Sequence, residues 1–319
     1  MAAPIIEIEG LTKDYASGFW RKRWKRSLDR LTLQVEDGEV FGFLGPNGAG
    51  KTTTLKLLMG LIFPTEGTAR VRGLSIDDIS MHRDIGYLPE HPYFYDYLTA
   101  RELLDYYARF SDFSAAERHA RVEKFLKRVG LSSAANVQLR KFSKGMLQRA
   151  GIAQAILHDP KVVFLDEPMS GLDPVGRREV RDIILELKKE GKTVFFSTHI
   201  LSDAEMLCDR VGVLVGGKLQ GVGPPREMVP VEVHSMEIVF ELPEGRELPQ
   251  RMAAQLTSIG GRYRVSVREE DVYAVVDQLR IASARILSMT QVRPTLEDYF
   301  IKLVGQERAA THEGEVVLR

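Results

Sequence analysis

A glycine-rich loop between an apolar strand and a helix is the feature that most restricts how this chain can fold. Residues 40–58 read VFGFLGPNGAGKTTTLKLL, and the apolar pattern changes at the loop from the alternation of a strand to the period of a helix. Glycines at 45, 48 and 50 let the loop fold back, so that successive backbone amides point at one anion. The helix N-terminus adds its own amides and dipole. This arrangement predicts a phosphate-binding loop in an α/β fold.

The residues of this loop have distinct expected roles. Lys51 supplies a positive charge for the β- and γ-phosphates of a nucleotide, and the hydroxyl of Thr52 suits Mg²⁺. We predict that the nucleotide contacts the loop and the first turn of the helix, namely Gly45, Pro46, Asn47, Gly48, Ala49, Gly50, Lys51, Thr52 and Thr53.

A second element, VVFLDEPMSGLDP at 162–174, is an apolar strand that ends in two acidic residues. Asp166 at the strand end is placed to hold Mg²⁺ through water. Glu167 follows directly, and successive side chains of a strand point to opposite faces, so Glu167 addresses the nucleotide from another angle. We predict that it orients or deprotonates the attacking water, because phosphoryl transfer is mostly positioning and electrostatics.

Composition excludes several classes of protein. Cys208 is the only cysteine, which excludes an internal disulfide and fits a reducing compartment. It lies between a helical and an apolar segment, so we expect a buried, inert thiol. Lys+Arg and Asp+Glu both number 44, so the net charge gives no indication of a nucleic-acid partner. No apolar run approaches the roughly 18–20 residues that span a bilayer. We expect a cytosolic chain whose membrane role comes through a partner.

The order of segments predicts two domains and a tail. Strands at 5–11, 31–45, 67–73 and 84–89 precede a helix-rich block at 99–131, and a strand–helix–strand unit follows it. The segment GPPREMVP at 223–230 breaks this pattern. We therefore expect a first domain over 1–228, a small non-catalytic α+β domain for dimer contacts or regulation over 229–305, and a flexible tail over 306–319.

A third motif, FSKGMLQRA at 142–150, starts a helix about twenty residues before Asp166. Together with the two phosphate elements it resembles the ATP-binding subunit of an ABC transporter, over residues 5 to about 225. SKGMLQR resembles that family's signature, usually Leu-Ser-Gly-Gly-Gln, with Lys144 at the first Gly and Met146 at the Gln. Such a variant is similar to exporter subunits whose permease is a separate chain. The resemblance implies a P-loop ABC-type ATPase domain of α/β class, with antiparallel β and α-helical subdomains.

The resemblance also implies that the site is shared between two subunits. Two chains meet head to tail, and Ser143 and the amide of Gly145 touch the γ-phosphate held by the Lys51 of the other chain. Lys144 and, in SGLDP, Asp173 are placed across the same interface. A complete set of motifs favours a homodimer, with a heterodimer left open.

Three further residues take roles from the same resemblance. Tyr15 lies where the family places an aromatic ring against adenine, and His199 matches the switch histidine that contacts the γ-phosphate. Glu90 stands where the family usually has a Gln that reaches Mg²⁺ and the attacking water. A carboxylate there accepts hydrogen bonds but cannot donate them, and it adds negative charge near the phosphates.

The function implied is an ATPase that binds ATP and Mg²⁺ and drives export through an integral-membrane permease, from the inner face of the cell membrane. No nucleic-acid partner is expected. One rival is a soluble ABC-type ATPase that acts on nucleic acid or the ribosome, but the chain has one ATPase half and no extended heptad run. A P-loop kinase is the other rival, and SKGMLQR, SGLDP and His199 together argue against it.

Two aromatic segments carry weaker expectations. In YFYDYLTARELLDYYARF at 93–110 most rings should lie in the core, with two or three exposed to form a docking groove for the permease. FWRKRWKR at 19–26 holds five basic residues and two tryptophans. We favour a solvated loop whose tryptophans shield a neighbouring strand, over contact with anionic lipid headgroups or with the permease.

Overall fold

A computed structural model describes residues 3–18, 23–228, 235–243, 256–292, 296–301 and 303–305. They fall into two compact units. One unit runs as far as Met228 and includes the residues from Phe300 on, and the other lies between Val229 and Tyr299. The tail expected over 306–319 lies outside the described residues.

As far as Met228, the described part of the first unit contains ten strands and six α-helices. In chain order these are β1 (Ile6–Ser17), β2 (Arg23–Val35), β3 (Val40–Leu44), α1 (Lys51–Leu58), β4 (Glu66–Val71), β5 (Leu74–Ser75), β6 (Ile85–Leu88), α2 (Ala100–Ala108), α3 (Ala115–Arg128), α4 (Lys144–Ile156), β7 (Val162–Asp166), α5 (Pro174–Lys189), β8 (Thr193–Thr198), α6 (Leu201–Leu207), β9 (Arg210–Val215) and β10 (Lys218–Gly223). No helix in the described part of the chain is both long and apolar enough to span a membrane.

A six-stranded sheet in the order β10-β9-β3-β8-β7-β6 forms the centre of this unit. Strands β9, β3, β8, β7 and β6 run parallel to their neighbours, and β10 closes the edge as an antiparallel hairpin with β9. All residues of β3, β7 and β8 are buried, as is usual for parallel strands covered on both faces. Their carboxyl ends lie at one edge, so the segments after β3, β7 and β8 meet there.

Aromatic rings fill the core on one face of this sheet. Phe195 in β8 stacks on Phe41 with ring centroids 5.3 Å apart, and it also packs against Phe43 and Phe164. All four rings are fully buried. Burial of this much apolar area gives the strands a rigid base from which the loops at the carboxyl edge project.

A four-stranded antiparallel sheet in the order β2-β1-β4-β5 forms a second layer. The hairpin of β1 and β2 is longer than the sequence pattern predicts, because pairing continues out to Ser17 and Arg23. The interpretation of 19–26 as a loop is therefore wrong for its last four residues, which are strand. Trp24 is 67% exposed and does not shield a neighbouring strand. Residues 19–22 lie outside the described part of the chain.

The helix-rich block contains α2 and α3, and both begin with a capping box. The side chains of Thr99 and Ser114 accept from the amides of Glu102 and Glu117, whose carboxylates accept in return from the cap amides. The expectation that most rings of 93–110 lie in the core is wrong. The exposed rings, which we call the aromatic surface, are Tyr93, Tyr95, Tyr97, Tyr106 and Phe110.

Helix α5 begins at Pro174, directly after the SGLD segment. Asp173 caps it by accepting from the amide of Gly176 at 2.7 Å, and Pro174 occupies the first helical position. Cys208 lies just after α6, and burial raises the pKa of its thiol well above the ordinary value. That thiol therefore stays protonated, as expected of an inert cysteine.

The second unit is α+β. Its described elements are β11 (Ser235–Glu241), β12 (Leu256–Ile259), β13 (Arg262–Arg268), α7 (Val272–Ile281) and β14 (Arg285–Val292). The strands form an antiparallel sheet in the order β12-β13-β11-β14. Ile238, Phe240 and Val265 form its core together with Leu279 of α7. Residues 296–301 and 303–305 are helical, and those from Phe300 on belong to the first unit.

Candidate nucleotide site

The phosphate loop follows β3 directly and leads into α1 at Lys51. Gly50 has a φ of 109°, in the left-handed region. A Cβ at this position would lie 2.5 Å from the carbonyl oxygen of Ser27 in β2. Only glycine satisfies both conditions, so this turn of the loop depends on the absence of a side chain.

The loop borders a cleft of about 290 Å³. The cleft brings together residues that are far apart in sequence, and all of them except Ser27 are predicted site residues. Its lining consists of Ser27, Pro46, Asn47, Gly48, Gly50, Lys51, Thr52, Thr53, Glu90 and Glu167. Gly45 and Ala49 do not line it: the carbonyl of Gly45 accepts from Lys51, and Ala49 is buried.

Lys51 is held on the floor of this cleft by the protein itself. Its Nζ donates to the carbonyl of Gly45 at 2.7 Å and lies 3.1 Å from Oε1 of Glu167. Both side chains are only 6% exposed. The ammonium that the sequence assigns to phosphate therefore forms an ion pair with the carboxylate that it assigns to the attacking water.

Glu167 adopts a backbone conformation that the sequence pattern does not predict. Its φ is 48°, in the left-handed region that costs a non-glycine residue roughly 1–2 kcal/mol. The second carboxylate oxygen, Oε2, lies 2.8 Å from Nδ1 of His199. Glu167 thus bridges Lys51 and His199, which come from different strand ends.

Asp166 lies behind the loop, at the end of β7. Burial raises its pKa, against hydrogen bonds donated by the hydroxyls of Ser197 and Thr52, and the Glu90 carboxylate raises it further. Burial, with the Asp166 carboxylate as a second cause, raises the pKa of Tyr87 to about 12. A cation in this position would relieve the accumulated negative charge.

Tyr15 does not line the cleft. It lies in β1, opposite Lys25 of β2, and its ring is 40% exposed. The ammonium of Lys13 lies 5.3 Å from the ring centroid. The ring is accessible to a planar ligand, as the predicted adenine contact requires.

The four residues predicted to act across a dimer lie together, and none of them lines the cleft. Ser143 caps α4 by accepting from the amide of Met146 at 3.2 Å. Lys144 follows it, and its ammonium would lie 2.4 Å from a Cβ built at Gly171. Gly145 approaches Gly176 of α5, the helix that Asp173 caps. The start of α4 and the SGLDP segment therefore form one surface.

Sequence reasoning missed two serines. Ser27 lines the cleft, and its Oγ lies 3.0 Å from Oγ1 of Thr53. Ser197 is fully buried in β8 and contacts Asp166 and Glu167. Neither belongs to a motif, although Ser197 could have been found as a polar residue in an apolar strand two positions before His199.

The fold and the cleft define this protein as a P-loop nucleotide-binding protein. A family model described as ABC transporter matches residues 28–170. The chain is 45% identical over 316 residues to an uncharacterized ABC transporter ATP-binding protein of Synechocystis, covering 98% of this chain and 88% of that one. It is 36% identical over 314 residues to the bacitracin transport ATP-binding protein of Bacillus licheniformis, covering 94% and 97%.

Solved structures agree with these relatives. A dimeric ATP-binding cassette in a post-hydrolysis state, bound to ADP and Pi, superimposes with a TM-score of 0.63 at 27% identity, covering 69% of this chain and 98% of that one. A subunit of an ABC transporter complex from Clostridium perfringens gives a TM-score of 0.62 at 27% identity, covering 71% and 90%. The chain belongs to the family of ABC transporter ATP-binding proteins. It is a nucleotide-binding ATP hydrolase of that family, as the resemblance in its motifs implies.

Proposed function

We propose that this chain dimerises around two MgATP and drives export through a separate membrane permease. The observation that carries the proposal is that one chain holds two incomplete halves of a site. The cleft contains Lys51 and Glu167, whereas Ser143 and Gly145 lie outside its lining at the start of α4. A head-to-tail pair with twofold symmetry completes both sites at once.

ATP enters by taking Lys51 away from Glu167. The β- and γ-phosphates accept from the ammonium and from the backbone amides of the loop, while adenine stacks on Tyr15. Glu167 then loses its cationic partner and becomes available to the attacking water. Binding and activation of the catalytic carboxylate are therefore one event.

The residues behind the loop fit a magnesium ion. Thr52 and Asp166 supply a hydroxyl and a carboxylate that already touch each other, and Glu90 adds a second carboxylate at the cleft wall. Oxygen donors of this kind are those that Mg²⁺ prefers, together with substrate phosphates and water. Bound Mg²⁺ would neutralise charge on the transferred phosphoryl group.

Glu167 acts on water from the position that its strained backbone provides. His199 holds Oε2 at 2.8 Å, so the carboxylate keeps one orientation when Lys51 leaves. When ATP is bound, His199 also comes within reach of the γ-phosphate. The pair Glu167–His199 thus links the attacking water to the presence of a third phosphate.

The start of α4 retains donors for a phosphate held by the other subunit. Ser143 Oγ accepts from Met146, so its own proton is still available to donate. Gly145 lies in the first turn of the helix, where backbone amides have no intrahelical acceptor. Lys144 adds positive charge beside the SGLDP segment, and Asp173 lies across the same interface.

The aromatic surface is the proposed docking site for the permease. It follows Glu90 in the chain, and Tyr106 packs edge-to-face on Phe110 with centroids 5.3 Å apart. Clustered exposed rings are typical of protein interfaces. A cytoplasmic helix of the permease seated here would be coupled to the nucleotide through Glu90.

The relative named for bacitracin transport supports a transport role, and the SKGMLQR variant supports export. In this proposal the chain is cytoplasmic and lies on the inner face of the membrane through its permease. The alternative, an ABC-type ATPase acting on nucleic acid or the ribosome, predicts different partners and is tested by the same experiment.

The experiment is affinity capture with the tagged Glu167→Gln variant and ATP, from detergent-solubilised membranes of the native host. This variant should bind ATP and lose steady-state hydrolysis. We expect it to recover a multi-span membrane protein in stoichiometric amount. Phe110→Glu in the same background should lose that protein. Tyr273→Glu, at another highly exposed ring in α7, should keep it.

Three outcomes contradict the proposal. Recovery of only soluble partners or nucleic acid would support the alternative function. Equal recovery by the Phe110→Glu and Tyr273→Glu variants would remove the aromatic surface as the docking site. Hydrolysis by Glu167→Gln at the wild-type rate would remove the catalytic assignment.

A further inference from the structure

We propose that Ser197 is a positioning residue for hydrolysis: its single hydroxyl holds both acidic residues at the end of β7. The inference rests on the proposed roles of Asp166 and Glu167. No motif points to Ser197, which lies in β8 and is fully buried. It acts through the two acids and does not itself line the nucleotide cleft.

The register of the sheet brings this hydroxyl to both acids. Strands β7 and β8 are parallel neighbours, and Asp166 is paired with Ser197 in the ladder. The Oγ of Ser197 donates to Oδ1 of Asp166 at 2.5 Å. The same oxygen accepts from the backbone amide of Glu167 at 3.0 Å. One hydroxyl thus uses its proton on one acid and a lone pair on the other.

Glu167 needs this contact because its backbone is strained. At a φ of 48° it leaves the strand in the left-handed region, where an L-residue is disfavoured unless its surroundings fix it. Its amide donates both to the Ser197 hydroxyl and, at 3.2 Å, to the Ser197 carbonyl. Since this turn aims the carboxylate at Lys51 and His199, holding the amide holds the catalytic group.

Asp166 needs it because its carboxylate is almost completely buried. A buried anion is stable only when hydrogen bonds replace its lost water. The hydroxyls of Ser197 and Thr52 supply them. Thr52 is also the residue proposed to contact Mg²⁺, so Ser197 is the donor that remains in place when the metal engages the loop.

The prediction separates positioning from simple stability. Ser197→Ala keeps the backbone carbonyl and removes only the hydroxyl. We expect kcat to fall by about 10- to 100-fold, the usual effect of removing an outer partner of a catalytic or metal-binding group. The Kd for ADP without metal should change less than about threefold, because no phosphate contact is lost. Ser197→Thr, which keeps the hydroxyl, should recover most of kcat.

A matched control lies on the same strand. Thr193 is also fully buried, and its hydroxyl accepts from the amide of Gly38 at 2.8 Å, at the end of β8 away from the cleft. Thr193→Val should lower the midpoint of urea unfolding and leave kcat unchanged. Should Ser197→Ala fail to fold, Ser197→Cys preserves a side chain with a weak donor and must still lose at least about fivefold in kcat.

The rates of the Ser197 variants test this inference separately from the proposed function, which the rate of Glu167→Gln tests. A wild-type rate in Glu167→Gln would overturn the catalytic assignment on which the inference rests. An inactive Glu167→Gln together with a Ser197→Ala or Ser197→Cys rate within twofold of wild type would overturn the inference alone. Failure of Ser197→Thr to recover any of the activity that Ser197→Ala loses would also overturn it.

Discussion

Replacing Glu167 by Gln should lower the stability of the nucleotide-free protein and raise its affinity for nucleotide. The Lys51 ammonium and the Glu167 carboxylate lie 3.1 Å apart, and both are 6% exposed. The variant leaves Lys51 buried without its counter-charge, so the empty protein should be less stable. The same change removes the group with which phosphates compete for Lys51, so nucleotide should bind more tightly.

The magnitude follows from the geometry of the pair. At 3.1 Å and an effective dielectric constant near 20, the gross attraction is about 5 kcal/mol. Removing one partner of a buried pair typically costs about 3–5 kcal/mol. The glutamine amide oxygen and the Gly45 carbonyl still accept from Lys51, so we expect a loss of about 1–3 kcal/mol in unfolding free energy. Affinity for ADP should rise by about 1–2 kcal/mol, or roughly 5- to 30-fold.

Urea unfolding of the empty protein and calorimetric titration with ADP in the presence of a metal chelator measure the two effects. Glu90→Gln is the matched control, because Glu90 lines the same cleft with the same charge, whereas Lys51 is paired with Glu167. Glu90→Gln should raise the affinity for ADP only by the amount that results from removing one negative charge from the cleft. The reasoning is refuted if Glu167→Gln binds ADP no more tightly than Glu90→Gln does, or if its empty form is as stable as wild type.

Three other predictions concern a buried carboxylate, the aromatic core and the adenine contact. Burial raises the pKa of Asp203, and its Oδ2 has no hydrogen-bond partner among the described residues, so the folded protein holds this proton more tightly than the unfolded chain. The stability that protonation of Asp203 supplies is lost as the pH rises above the ordinary pKa of an aspartate. Asp203→Asn should therefore stabilise the protein by about 0.5–2 kcal/mol at neutral pH in urea unfolding, and it should give no gain near about pH 4. Phe195→Ala should cost about 3–5 kcal/mol in unfolding free energy, because its ring is fully buried among three others, whereas the exposed Phe110→Ala should be nearly neutral. Tyr15→Ala should weaken ATP binding by about 1–3 kcal/mol in fluorescence titration, and Tyr15→Trp should preserve it, since stacking needs only a ring; equal affinities would remove the adenine contact.

The elements around the phosphate loop could be predicted because their patterns are local. An apolar run, a glycine-rich loop and the onset of helical period are contiguous between 40 and 58. The buried parallel strands at 162–166 and 193–198 each contain a short apolar run, VVFL and VFF. Parallel strands end at a common edge, so the proximity of Lys51, Glu167 and His199 follows once the sheet is assumed.

What could not be predicted depends on contacts between distant segments. The left-handed turn at Glu167 is held by a strand thirty residues away, and no local signal marks it. Aromatic residues are usually buried, which predicts the rings at 93–110 in the core. In the fold, α2 buries Leu103 and Leu104, and five of the rings along 93–110 are exposed. The β1–β2 hairpin extends to Arg23 through cross-strand pairing. The charged residues in this segment interrupt the alternating apolar pattern by which a strand is recognised in the sequence.

The central claim is that each nucleotide is sandwiched between the Lys51 loop of one subunit and the Ser143 helix start of another. Sedimentation velocity of Glu167→Gln measures this most directly, with ATP, with ADP and without nucleotide. Ser143→Arg is added in the same background, and Ser132→Arg, at an exposed serine outside the motif, is the control. The account predicts an ATP-dependent dimer for Glu167→Gln that Ser132→Arg retains and Ser143→Arg abolishes. A monomer under all conditions, or an ATP-dependent dimer that Ser143→Arg leaves intact, would contradict it.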